Sequence, residues 1–156
     1  DLKGKFDKIV SIEMFEAVGE KYWLLYFEIL KNNLKKSGKI GIQTITIKDD
    51  YFKTYKKFPD FIQTYIFPGG MLPSVSTLRK TLERSGLRLI DENLFGEHYA
   101  RTLSHWKNSF EYSWDEIKKN GFDPNFKRLW QYYLSYCEGG FRSGNINVGQ
   151  FLIGKE

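Results

Sequence analysis

Apolar and polar positions along the chain change period several times, and each change predicts an element. Phe6 to Ile12 (FDKIVSI) is a short β-branched run with few charges, which reads as a buried strand. A helix opens at Gly19-Glu20. Trp23, Phe27, Leu30 and Leu34 then recur at spacings of four, three and four, which is one helical face. Lys35-Lys36-Ser37-Gly38 is expected to end it, with basic residues at the negative pole and a glycine stop. Ile40 to Ile47 (IGIQTITI) alternates β-branched residues and predicts a second strand. Strand, helix, strand with a short crossover is the signature of parallel pairing in an α/β sheet.

Asp49 to Phe67 packs Tyr51, Phe52, Tyr55, Phe58, Phe61, Ile62, Tyr65, Ile66 and Phe67 around Pro59. It reads as irregular helix over the end of the sheet, broken by Pro68-Gly69-Gly70. Ser74 caps a helix whose Val75, Leu78 and Leu82 face one way, and Gly86 stops it. Leu87 to Ile90 is a short third strand, and Asn145 to Ile153 closes the chain as a fourth. Between them lie two long aromatic helices, Tyr99 to Ile117 and Asn125 to Phe141. No glycine-rich turn follows the first strand, where a nucleotide-binding sheet carries one. KIVSI has the character of a central strand with a free edge, a pairing hazard. The chain therefore reads as an α/β domain missing its beginning.

Composition adds three points. Aromatic residues make up 17% of the 156, heavy enough for a large core or for a site that holds something greasy. No window reaches the roughly 18 consecutive apolar residues of a membrane span, and the polar opening Asp1-Leu2-Lys3-Gly4-Lys5 argues against a signal peptide. Cys137 is alone, which fits a reducing cytoplasm, and with His98 and His105 it gives no metal-ligand spacing. The net charge of +5 is spread over small groups: Lys31, Lys35, Lys36; Lys53, Lys56, Lys57; Arg79, Lys80, Arg84. Solvated helix faces account for them, as does attraction to lipid headgroups or nucleic acid.

Particular residues speak more sharply. The run Phe6 to Gly19 (FDKIVSIEMFEAVG), Ile42-Gln43-Thr44-Ile45, Asp60 to Ser74 (DFIQTYIFPGGMLPS), Phe95 to Leu103 (FGEHYARTL), Tyr133 to Phe141 (YLSYCEGGF) and Val148-Gly149-Gln150-Phe151 agree in order and spacing with one family. The chain resembles the C-terminal part of the cyclopropane-fatty-acyl-phospholipid synthases and the related mycolic acid cyclopropane synthases. The resemblance covers essentially the whole chain, and its FPGGMLPS run is the most specific part. It implies a Rossmann-like methyltransferase fold, a mostly parallel sheet with one antiparallel strand and helices on both faces. Residues 1–156 would then be the C-terminal part of a single methyltransferase domain, with the cofactor-loop segment upstream of Asp1.

The implied reaction is methylene addition from S-adenosylmethionine across a cis double bond of an acyl chain, with bicarbonate as the base that removes a proton. Positioning in a dry site matters most for so weak a nucleophile as an alkene, and the base must lie within reach of its proton. By resemblance Glu16, Gln43 and Tyr99 are catalytic, and Ile12, Glu16, Gln43, Ile45 and Tyr99 bind bicarbonate. The backbone of Ile12 also faces the cofactor. From the residues alone, Glu16 is equally an early-helix glutamate favoured by the dipole, and Tyr99 a core tyrosine. Gln43 departs from the family, many of whose members have histidine there. Its amide can hold an anion but cannot take up a proton, which opens a methyl-branched product beside the ring. The Tyr51–Phe67 aromatics would line part of an acyl channel; composition favours plain core packing.

The resemblance further implies an unsaturated phospholipid at the inner membrane face as partner, with the protein cytoplasmic and peripheral. Self-association, or a homodimer through the free strand edge, is also expected. A basic nucleic-acid-binding module is the competing class. It has no recognisable motif and no dense basic run here, and no nucleic-acid partner is expected.

Overall fold

A computed structural model describes residues 4–156, which divide into two compact units. One is built from residues 4–94 with Val148–Glu156, the other from Phe95–Asn147.

The first unit holds a mixed four-stranded sheet in the order β1-β2-β4-β3, from β1 (Phe6–Ile12), β2 (Leu34–Ile47), β3 (Leu87–Leu94) and β4 (Ile146–Lys155). β1 and β2 are parallel, and β3 and β4 are antiparallel. Between β1 and β2 run α1 (Phe15–Val18), a 3₁₀ turn Glu20–Tyr22 and α2 (Trp23–Asn33). After β2 come α3 (Asp49–Lys57), a π-helical turn Ile62–Ile66 and α4 (Val75–Arg84). No helix among the described residues is long and apolar enough to cross a membrane.

The core follows from strand alternation. Ile40 and Ile42 of β2 and Phe151 and Ile153 of β4 point to one face, where they meet Phe27 of α2 and Leu78 and Leu82 of α4. Phe15, fully buried, packs its ring against Trp23, Tyr26 and Phe27 at centroid separations of 5.1–5.2 Å. Ser74 caps α4 as expected, its hydroxyl accepting from Thr77 N–H, and Gly86 follows with φ +68°.

Four expectations need correction. The helix ends at Asn33, not in the Lys35–Gly38 run, because Leu34 is fully buried in extended backbone and starts β2. Lys35 instead pairs with Asp7 of β1 at 2.8 Å. The strand read as buried is largely exposed, with Val10 at 70% and Ile12 at 64%, because β1 is an edge of the sheet. The ladder there is irregular: Phe6 lies opposite Leu34 and Lys8 opposite Lys39, so β2 bulges around Gly38. The aromatic segment is only partly core. Phe52 stacks on Trp23, while Phe58, Tyr65 and Phe67 stand in solvent.

The second unit contains α5 (Gly96–Tyr112), α6 (Trp114–Lys119) and α7 (Pro124–Arg142). The single helix expected from Tyr99 to Ile117 is thus broken at Ser113. Asp123 caps α7, accepting from Phe126 N–H at 2.8 Å, and Pro124 follows at its first turn. Asn147 Oδ1 accepts from Gly96 N–H at 2.8 Å, and a Cβ on Gly96 would stand 2.6 Å from that oxygen, so a larger residue would displace the Asn147 side chain.

Phe27 touches two rings of the aromatic cluster and is fully buried. Phe27→Ala should therefore lower unfolding free energy by about 3–5 kcal/mol, measured by urea denaturation. A loss below about 1 kcal/mol would show that the cluster does not carry the first unit.

Candidate functional site

β1 stops at Ile12 while its parallel partner β2 runs on to Ile47, and the candidate residues collect around this step. Ile12, the last residue of β1, lies opposite Gln43, and Glu13 N–H then donates to Gln43 O at 2.8 Å. Glu13 takes φ +50°, rare for a residue with a side chain. The chain there leaves the sheet. The N–H of Ile45, two residues further along β2, is satisfied by a side chain: it donates to Glu16 Oε1 at 2.6 Å. The carboxyl ends of strands in open α/β sheets are where such folds bind ligands.

Glu16 sits on α1, a single turn wedged in place by buried Phe15. Its backbone carbonyl accepts from Met71 N–H at 2.9 Å, which ties the Pro68–Ser74 turn to this residue. Its second carboxyl oxygen, Oε2, is sealed from solvent and has no hydrogen-bond partner. Burial pushes the Glu16 carboxyl above its ordinary 4.5; the Ile45 N–H and the Thr44 hydroxyl pull the other way, and the charge of Glu13 adds to the rise. Nearby, the Tyr26 hydroxyl donates to Ser11 Oγ at 2.7 Å; burial raises this phenol, and the charge of Glu16 contributes.

Gln43 is held on both sides of its amide. Its Nε2 donates to Glu13 Oε1 at 2.9 Å, and its Oε1 accepts from Gln150 Nε2 at 3.1 Å. With Ile12, Val10, Gly41, Gln150 and Leu152 it lines a shallow open depression of 330 Å³ on the sheet. Among the sequence-derived candidates, the structure pairs Ile12 with Gln43 across the β1–β2 ladder and Glu16 with the N–H of Ile45. Tyr99 lies on α5 of the second unit, its ring 5.1 Å from that of Phe141 and 6.5 Å from that of Trp106. Glu13, Gln150 and Tyr26 were missed by sequence reasoning. The parallel register of Ile12 with Gln43 is the signal that would have found Glu13. Gln150 and Tyr26 carry none.

The family model described as mycolic acid cyclopropane synthetase matches residues 1–151. The chain belongs to this family. It is 40% identical over its whole length to tuberculostearic acid methyltransferase UfaA1 of Mycobacterium tuberculosis, covering 37% of that protein. It is 38% identical over 99% of its length to the cyclopropane-fatty-acyl-phospholipid synthase of Escherichia coli, covering 39% of it. The chain thus spans less than half of these relatives. Among solved structures, mycolic acid cyclopropane synthase CmaA1, complexed with SAH and CTAB, superposes with a TM-score of 0.89 at 27% identity, over 99% of this chain and 57% of that one. The fold is accordingly the α/β S-adenosylmethionine-methyltransferase fold.

A carboxyl whose folded pKa lies above its unfolded value contributes stability that is full below the unfolded value and is lost as pH rises through the folded one. Wild-type stability should therefore fall as pH rises from the ordinary 4.5 of Glu16. Glu16→Gln should flatten this fall and leave the protein at least as stable as wild type at neutral pH. Urea denaturation across that range tests it. Parallel profiles for the two proteins would show that Glu16 carries no such penalty.

Proposed function

We propose that the chain is the C-terminal part of an S-adenosylmethionine-dependent transferase that adds one carbon to the double bond of an unsaturated acyl chain of a phospholipid, closing a cyclopropane ring. One observation carries the reading: a buried carboxyl with one oxygen fixed on Ile45 N–H and the other unpartnered, at the end of a parallel strand pair. The family membership and the names of the relatives support it.

S-adenosylmethionine, when bound, supplies an electrophilic methyl group. The backbone of Ile12 is the part of this chain proposed to face it. Glu16 would hold a proton at Oε2, since burial favours the neutral acid, and a neutral acid can donate to a small anion such as bicarbonate where a carboxylate would repel it. The sealed Oε2 fits such an ion. Ile45 acts through Glu16, because its N–H is spent on Oε1. Gln43 would offer the anion the remaining N–H of its amide. Tyr99 stands as a candidate by resemblance.

A second reading rests on Gln43. An amide clamped between Glu13 and Gln150 cannot accept a proton. Ring closure requires proton loss from the newly attached carbon; loss from a neighbouring chain carbon instead leaves a branched, unsaturated chain. The likeness to a relative named as a tuberculostearic acid methyltransferase fits this outcome.

The test is incubation of this chain, and of the chain extended upstream in its gene, with methyl-labelled S-adenosylmethionine and unsaturated phospholipid. The extended protein should label lipid, and Glu16→Gln should cut labelling by about a hundredfold or more. Labelling unaffected by Glu16→Gln would remove Glu16 from the chemistry, and no labelled lipid at all would remove the transferase reading. For the second reading, Gln43→His should raise the ring-to-branch ratio seen by mass spectrometry and proton NMR. An unchanged ratio would reject it.

A further inference from the structure

Among the described residues, Glu13 alone of the non-glycine residues has positive φ, at +50°. That region suits glycine, and of the other residues asparagine, aspartate and histidine enter it most readily. Strained backbone of this kind gathers where a side chain is used. The strain sits where the chain leaves β1, directly after Ile12. Glu13 N–H donates to Gln43 O at 2.8 Å, and Glu13 Oε1 accepts from Gln43 Nε2 at 2.9 Å. The backbone bond would form equally with glycine, which takes this φ without penalty. What the position retains against the strain is the carboxyl.

Glu13 and Glu16 have opposite surroundings. Glu16 has one oxygen sealed from solvent, and burial favours its neutral acid. Glu13 is exposed, yet its charge reaches Glu16 and adds to that rise. In accepting from the Gln43 amide it acts as a carboxylate. A carboxylate has about four lone-pair positions on its two oxygens, so the bond to Gln43 leaves capacity for a proton. Carboxyl pairs in contrasting surroundings divide into one that holds a proton and one that takes it. A carboxylate here also disfavours a second anion, since bicarbonate placed against Gln43 would lie beside the negative charge of Glu13.

We propose that Glu13 is a catalytic base of this chain, taking the proton that bicarbonate takes in the ring-forming reading. The inference rests on the branching reading above and supplies the proton acceptor that Gln43 cannot be. Once one alkene carbon has taken the methyl group, its neighbour carries the positive charge. A Glu13 oxygen removes a proton from the next chain carbon. An O–H bond forms as the C–H bond breaks, and the C–H electron pair becomes the new C=C. The branched chain leaves neutral, and exposed Glu13 returns its proton to water.

The upstream-extended protein tests this when given S-adenosylmethionine with a trideuterated methyl group and unsaturated phospholipid, with products read by mass spectrometry. Proton loss from the chain keeps all three deuterons in the product, whereas ring closure removes one. Wild type should give branched product with all three. Glu13→Gln keeps an acceptor for the Gln43 amide but cannot take up a proton. It should lower branched product by about a hundredfold, while binding S-adenosylmethionine in calorimetry as tightly as wild type. In the 156-residue chain, Glu13→Gly should unfold at a urea midpoint at or above that of wild type, because glycine relieves the positive φ. Glu13→Gln that forms branched product at the wild-type rate would overturn the proposal and leave Glu13 an orienting group. So would a clearly lower urea midpoint for Glu13→Gly, since the side chain would then be kept for folding. A wild type that makes only the ring, with two deuterons, overturns the branching reading and this inference with it. A wild type that branches, with Glu13→Gln unaffected, overturns the inference alone.

Discussion

One unpaired backbone donor organises the site. A parallel strand pair must leave polar groups open where one strand turns away, and a buried N–H without a partner is costly. Here β1 departs at Glu13, and the N–H of Ile45 on β2 is satisfied by the carboxyl of Glu16. That bond fixes one oxygen, while the other is buried and makes no hydrogen bond. The position is over-determined, since Phe15 anchors the turn from inside and Met71 holds it from outside. A short helix of four residues could not hold a buried carboxyl by itself.

The same strand ends place a second network at the surface of the sheet. Gln150 on β4, Gln43 on β2 and Glu13 after β1 are joined by two hydrogen bonds. Both ends of the Gln43 amide are used, so its orientation is set by its neighbours. Two kinds of group converge at this end of the sheet: one able to hold a proton, Glu16, and one able only to orient.

Much of this was legible in the sequence, for identifiable reasons. Strand positions followed from alternation, because Ile40 and Ile42 must face the core while Gly41 and Gln43 face away. The cap at Ser74 and the stop at Gly86 followed from local chemistry that tertiary structure did not override. The exit of α2 did not, because a lysine run next to glycine suits a helix end and an exposed strand bulge equally well; the burial of Leu34 decided it. The exposure of Val10 and Ile12 was hidden for a related reason. β-branched residues report strand, and only topology reports whether the strand is central or at an edge. Glu16, Gln43 and Tyr99 were singled out through family resemblance; the pairing of Gln43 with Glu13 needed the register of β1 on β2.

The bulge near Gly38 bears on how this half of the sheet tolerates change. Side chains in a strand alternate, so a slip of one residue along β2 would carry Gln43 and Ile45 to the buried face and turn Thr44 outward. At the far end of the same ladder, between Phe6 and Lys8, the pairing already has slack. A residue gained or lost in the Lys35–Gly38 stretch can be absorbed there without being transmitted along the strand. Sequence drift is thus insulated from the Glu16 end of the sheet by a loose joint, and length variation among relatives should collect on that side.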